Sequence, residues 1–252
     1  VLPFEVSGSG KEEWRDAMVS LLSIGLDGAA GLRAIADRTV FSAWEQSGSG
    51  ETAASTEEAL SVARQTGARY AVVGTAAGLG SELQLSAAAY ETTSGDRLGQ
   101  VEVRGAADSV TALAGQLTRR VLGLLAAETG GRLRAADLAS VTTRSDTALR
   151  AFLAGERHRR AGNTESAIEG YEAAIRADST FALPYARLGL IGLYHGEFRG
   201  QHMRRANELS DQLPERQRRL VRALHLGRVE RRALAARDSL RRLTEDYPDD
   251  PS

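Results

Sequence analysis

Apolar residues change their period near residue 130. Upstream, short stretches that alternate apolar with polar residues are interleaved with stretches of helical spacing; downstream, every apolar pattern is helical. The spacing therefore predicts an α/β domain with a mixed sheet over 1–129, a linker over 130–145 and an all-α helical array over 146–252. Charge changes at the same place. Residues 1–129 hold 10 basic and 16 acidic groups, whereas 130–252 hold 22 and 17.

The formal net charge is −1 over 252 residues, which argues against a protein that coats nucleic acid or membranes in general. With no Cys, disulfide frameworks, thiolate metal sites and cysteine nucleophiles are excluded. The chain opens on Val1 inside an apolar run and stops at Tyr247-Pro248-Asp249-Asp250-Pro251-Ser252, which reads as a junction between helices; a longer parent polypeptide is expected. No signal peptide or apolar span of about 20 residues is visible. The nearest candidate, 110–127, carries Arg119 and Arg120 at its centre. Any membrane anchor is expected outside this stretch.

In the first half, 1–4 (Val-Leu-Pro-Phe) reads as a short buried strand, followed by an amphipathic helix over 11–23 through Trp14, Met18, Leu21 and Leu22. Residues 32–37 fit a second strand, 51–55 a mobile loop, and Thr56 the cap of a helix closed by Gly67. A clear strand follows at 69–75. Then comes the alternation Leu83, Leu85, Ala87, Ala89 against Gln84, Ser86, Ala88, a turn at 93–96 and a further strand at 98–103. A long helix over 108–128 closes the domain through Leu113, Leu117, Val121, Leu124 and Leu125.

The second half contains an internal period. Ala167 and Ala174 flank Tyr171 at the small–aromatic–small spacing of the second helix in a tetratricopeptide repeat, and Gly155 takes the small position of the helix before it. Pro184-Tyr185-Ala186-Arg187-Leu188-Gly189 opens a second, weaker unit whose expected Ala falls on Gln201. A third and degenerate one spans 214–247, with Ala236, Leu240 and Leu243 facing inward. A plain helical bundle is the competing architecture. Stacked repeats leave a groove lined by the first helix of each pair. Here that face is expected to carry Phe152, Glu156, Arg159 and Arg160, then Leu190 and Tyr194, then Arg218, Val221 and His225. Such a face suits an acidic or extended peptide, or a partner domain. A solvated helix face is the plainer reading of the same arginines.

The first half resembles the TolB-like N-terminal domain of bacterial multidomain signalling proteins. The resemblance rests on Val1-Leu2-Pro3-Phe4, on Gly67-Ala68-Arg69-Tyr70-Ala71-Val72-Val73-Gly74, and on Leu83-Gln84-Leu85 with Thr93-Ser94-Gly95. Ser94 interrupts the family's Thr-Gly turn, and the Trp that often follows it is missing. Such a domain followed by tetratricopeptide repeats is similar to the C-terminal part of bacterial serine/threonine protein kinases, nucleotide cyclases and membrane-bound winged-helix regulators. The resemblance implies a non-catalytic sensory or protein-interaction region, outside the cytoplasm on a membrane-anchored parent or within it. A small-molecule sensor with a pocket between the two domains is the alternative.

Catalytic patterns fail on inspection. Ser7-Gly8-Ser9-Gly10-Lys11 invites a P-loop reading, but the motif needs Gly six residues before the Lys and a hydroxyl after it; Glu5 and Glu12 stand there. Kinase signatures and a Gly-x-Ser-x-Gly elbow are absent. The four histidines, His158, His195, His202 and His225, lack zinc-ligand spacing, and no cofactor is expected. Residues 199–242 hold 13 basic and 5 acidic groups but no aromatic residue for base stacking, so a helical face that docks on the acidic first domain, or on an acidic protein partner, is preferred to nucleic acid.

Overall fold

The computed structural model describes residues 1–7, 12–48, 55–107, 109–129, 143, 145–194 and 200–246. The chain divides into two compact units, Val1–Ala139 and Ser140–Ser252. Residues 51–54 of the loop expected over 51–55, and nearly all of the linker expected over 130–145, lie outside the described residues.

The first unit is built on a four-stranded mixed sheet in the order β1-β2-β3-β4. Its strands are β1 (Glu5–Ser7), β2 (Tyr70–Leu79), β3 (Glu82–Glu91) and β4 (Arg97–Ala106). β1 runs parallel to β2, and the other two pairs are antiparallel. Among the described residues, four α-helices accompany them: α1 (Glu12–Leu26), α2 (Asp37–Gln46), α3 (Thr56–Gln65) and α4 (Val110–Thr129). The first strand begins later than the sequence implies. Its pairing starts at Glu5, although the Leu2 amide already donates to the Val72 carbonyl at 2.9 Å.

β3 keeps the anticipated alternation, with Leu83, Leu85, Ala87 and Ala89 buried. Register places Gly74, Leu85, Gly99, Val103 and Gly105 on that same face, which α4 covers. Glycine is needed where something sits directly on a strand. A Cβ on Gly74 would come within 2.2 Å of the Phe4 ring, and one on Gly99 within 2.7 Å of Leu124. The Val-Leu-Pro-Phe stretch and the Gly67–Gly74 stretch thus pack on one another.

The strand expected over 32–37 does not form. Gly28 N–H bonds to the Leu32 carbonyl and Ala34 N–H to the Asp27 carboxylate, at 3.0 and 3.2 Å. Those backbone groups are spent locally, and Asp37 opens α2 instead. Val40 and Trp44, four apart, bury that helix against Leu60 and Ala63 of α3. Ser55, rather than Thr56, caps α3, forming a capping box with Glu58.

The second unit is helical throughout its described residues. It comprises α5 (Asp146–Arg160), α6 (Thr164–Ala177), α7 (Ala182–Tyr194), α8 (Gly200–Glu208), α9 (Glu215–Leu224), a π turn (His225–Val229) and α10 (Ala233–Asp246). Ser145 and Asn163 cap α5 and α6 with their side chains, and Gly162 turns between them at φ 76°. The two helices cross at glycine. A Cβ on Gly170 would lie 2.7 Å from the Gly155 Cα, and one on Gly155 would lie 2.8 Å from the Tyr171 ring. Ala167 and Ala174, buried with Tyr171, complete that contact. In the next pair, Gly189 of α7 meets Met203 of α8 in the same manner, with a Cβ only 2.7 Å from the methionine methyl. Met203 is thus the packing residue where the sequence reading finds only broken spacing around Gln201.

No helix among the described residues is long and apolar enough to cross a membrane.

Candidate partner-binding surface

The face expected to line a groove divides into buried and accessible members. Phe152, in the middle of α5, is fully buried; its ring centroid lies 5.7 Å from that of Tyr171 and 5.1 Å from that of Phe181. Glu156, one turn further on, is also buried. Both are thereby committed to packing within the unit, and neither presents a side chain to solvent. Arg159 and Arg160 sit half-buried in the last turn of α5, where a cation suits the helix C-terminus. Leu190 is half-buried on α7, and Tyr194 ends that helix, its side chain being outside the described residues. Arg218 pairs with Glu215 inside α9. His225 begins the π turn with its Nδ1 3.2 Å from the Glu230 carboxylate.

A buried charge in a helix stripe requires partners, and Glu156 has three. The Tyr171 hydroxyl donates to Oε1 at 2.6 Å, Arg187 Nε donates to the same oxygen at 2.8 Å, and Arg159 donates to Oε2 at 3.0 Å. Three helices meet at this carboxylate: α5, α6 and α7. Burial by itself would raise its pKa, but Arg187, Arg159 and the Tyr171 hydroxyl outweigh burial and hold it at about 2. Burial, and then the charge of Glu156, push the Tyr171 hydroxyl the other way, upward. The sequence reading picks out Glu156 and Arg159 but misses Arg187 and Tyr171 as their partners. The available signal was a glutamate four residues after a buried phenylalanine, on the same face of α5.

Because the folded pKa of Glu156 lies below the ordinary value of 4.5, its ionised form stabilises the unit fully above that value. The contribution fades as pH falls toward about 2. Urea unfolding between about pH 6 and pH 3 should therefore cost the wild type on the order of 2 kcal/mol more than Glu156→Gln. Equal losses in the two proteins would show that the carboxylate is not held ionised by its neighbours.

No group of three or more His, Asp or Glu residues among the described residues is placed to hold a metal ion. An open trough does occur between α9 and α10, walled by Leu220, Leu224 and Leu240 and edged by Arg228, Arg237 and Arg241. That edge belongs to the basic stretch 199–242, for which the sequence favours a protein partner over nucleic acid. No protein-family model and no curated protein matches this chain.

Proposed function

We propose that this chain is a non-catalytic sensory or protein-interaction region of a larger bacterial signalling protein, of the serine/threonine kinase kind. In this reading, a TolB-like α/β domain precedes tetratricopeptide-like repeats, and the helical unit holds a peptide or partner domain. The observation that carries it is the repeated glycine crossing. Gly189 stands 34 positions after Gly155, and each lets the second helix of its pair approach closely. That interval is the length of one tetratricopeptide unit, and stacked units of this kind expose a long continuous face for binding. In this reading Arg160, Leu190 and Arg218 give that face its cations and apolar surface, and Phe152 and Glu156, both buried, belong to the packing of the unit.

Panning a random 12-residue peptide library against the 252-residue chain tests the proposal. The expected result is enrichment of acidic or extended peptides whose affinity, measured by calorimetry, falls at least tenfold in Arg160→Ser, Leu190→Asp or Arg218→Ser. Absence of enrichment would overturn the reading of the helical unit as a binding unit.

A further inference from the structure

We infer that the trough between α9 and α10 is a docking site for an acidic amphipathic helix of a protein partner. The trough has a volume of about 680 Å³. Its floor and walls are apolar: Leu220 and Leu224 come from α9, and Ala236, Leu240 and Leu243 from α10. On α10 the lining follows positions 236, 240, 243 and 244, the same-face spacing of a helix. That gives a straight wall over most of a 14-residue element roughly 20 Å long. A wall with helical ridges and small residues at Ala236 and Gly227 accepts another helix, whose own ridges fill the gaps. Among the described residues, α10 makes its main contacts with α9 and the π turn, and the trough lies open between these elements.

The charge at the trough names the partner's chemistry. Among the described residues, every charged residue lining it is an arginine: Arg228, Arg237 and Arg241. Asp238 approaches both Arg237 and Arg241 at 3.9 Å and Glu245 approaches Arg241 at 3.8 Å, and those arginine side chains are 74% and 66% exposed. Such long, solvated pairs are worth little and are easily exchanged. An occupant with leucine-type residues on one face and glutamates beside them would bury its apolar stripe and give the guanidinium groups closer carboxylates. A nucleic acid meets only the second of these conditions, and the apolar floor offers it nothing.

This inference rests on the helical unit being a binding unit, and its test separates the two. Three synthetic 16-residue peptides are titrated into the full chain by fluorescence anisotropy: a leucine-striped helix flanked by Glu, the same peptide with Lys for Glu, and the Glu peptide with a central Pro. The Glu peptide should bind at least tenfold tighter than either of the others and weaken as salt is raised. Arg237→Glu with Arg241→Glu, both at exposed positions, should reduce its affinity at least tenfold with no change in thermal midpoint. Leu240→Asp, which puts a carboxylate in the apolar wall, should also reduce the affinity at least tenfold, measured at a temperature where the variant remains folded. Equal affinity for the Lys peptide, or wild-type affinity in these variants, would overturn the site while leaving library peptides bound elsewhere. Displacement of the Glu peptide by laurate alone would overturn it in favour of a lipid pocket. A dimer in sedimentation that Leu240→Asp dissolves would overturn it in favour of a second copy.

Discussion

Replacing Glu156 with Ala should destabilise the helical unit by about 3–5 kcal/mol, the range for removing one partner of a buried ion pair. The cost comes from what stays behind rather than from the contacts removed. Arg187, with its side chain only 20% exposed, would keep its charge without the carboxylate that offsets its burial. The Tyr171 hydroxyl, fully buried between helices, would lose its acceptor as well. Glu156→Gln retains an acceptor of nearly the same shape and should cost less than Glu156→Ala. A triple variant, Glu156→Leu with Arg187→Leu and Tyr171→Phe, should recover most of the loss, because it leaves neither a buried charge nor a buried hydroxyl without a partner. Chemical denaturation of all three proteins at neutral pH checks the series. A loss under about 1 kcal/mol for Glu156→Ala would mean that the carboxylate acts as an ordinary surface ion pair.

Much of the architecture is legible in the residues, and the misses have physical causes. Alternation along 82–90 is read correctly because one face of β3 is buried and the other is not. Ala167, Tyr171 and Ala174 are read correctly as packing residues, since only small side chains flanking a ring suit a crossing as close as that of Gly155 and Gly170. Residues 32–37 look strand-like by composition alone. Their hydrogen bonds are consumed by the turn after α1, a competition that spacing does not reveal. Phe152 and Glu156 fall on the groove face of a repeat template, which fixes which helix lines the groove but not how deeply each position lies; both are buried. The inward positions Ala236, Leu240 and Leu243 and the basic character of 199–242 are legible in the sequence, but the trough is not, because it exists only where Leu220 and Leu224 of α9 stand beside Leu240 of α10.

Phe152→Ala should cost about 3–5 kcal/mol of stability, as truncation of a buried aromatic does. The ring is held on two sides, tilted against Tyr171 and edge-on to Phe181. Truncation therefore opens a void among residues from α5, α6 and the entry to α7, and the neighbouring glycine crossing at Gly155 leaves those helices little freedom to close over it. Aromatic pairing adds to the loss beyond area alone. Phe152→Leu, which keeps most of the volume, should cost less than half as much. The measurement separates two roles that the sequence could not distinguish. A phenylalanine lining an open groove would change stability by no more than about 0.5 kcal/mol on truncation while weakening a bound peptide. A core phenylalanine lowers the unfolding midpoint first, and peptide affinity falls only where the unit has begun to unfold. Denaturation curves and peptide titrations on the same samples, at a temperature where both variants remain folded, decide between them.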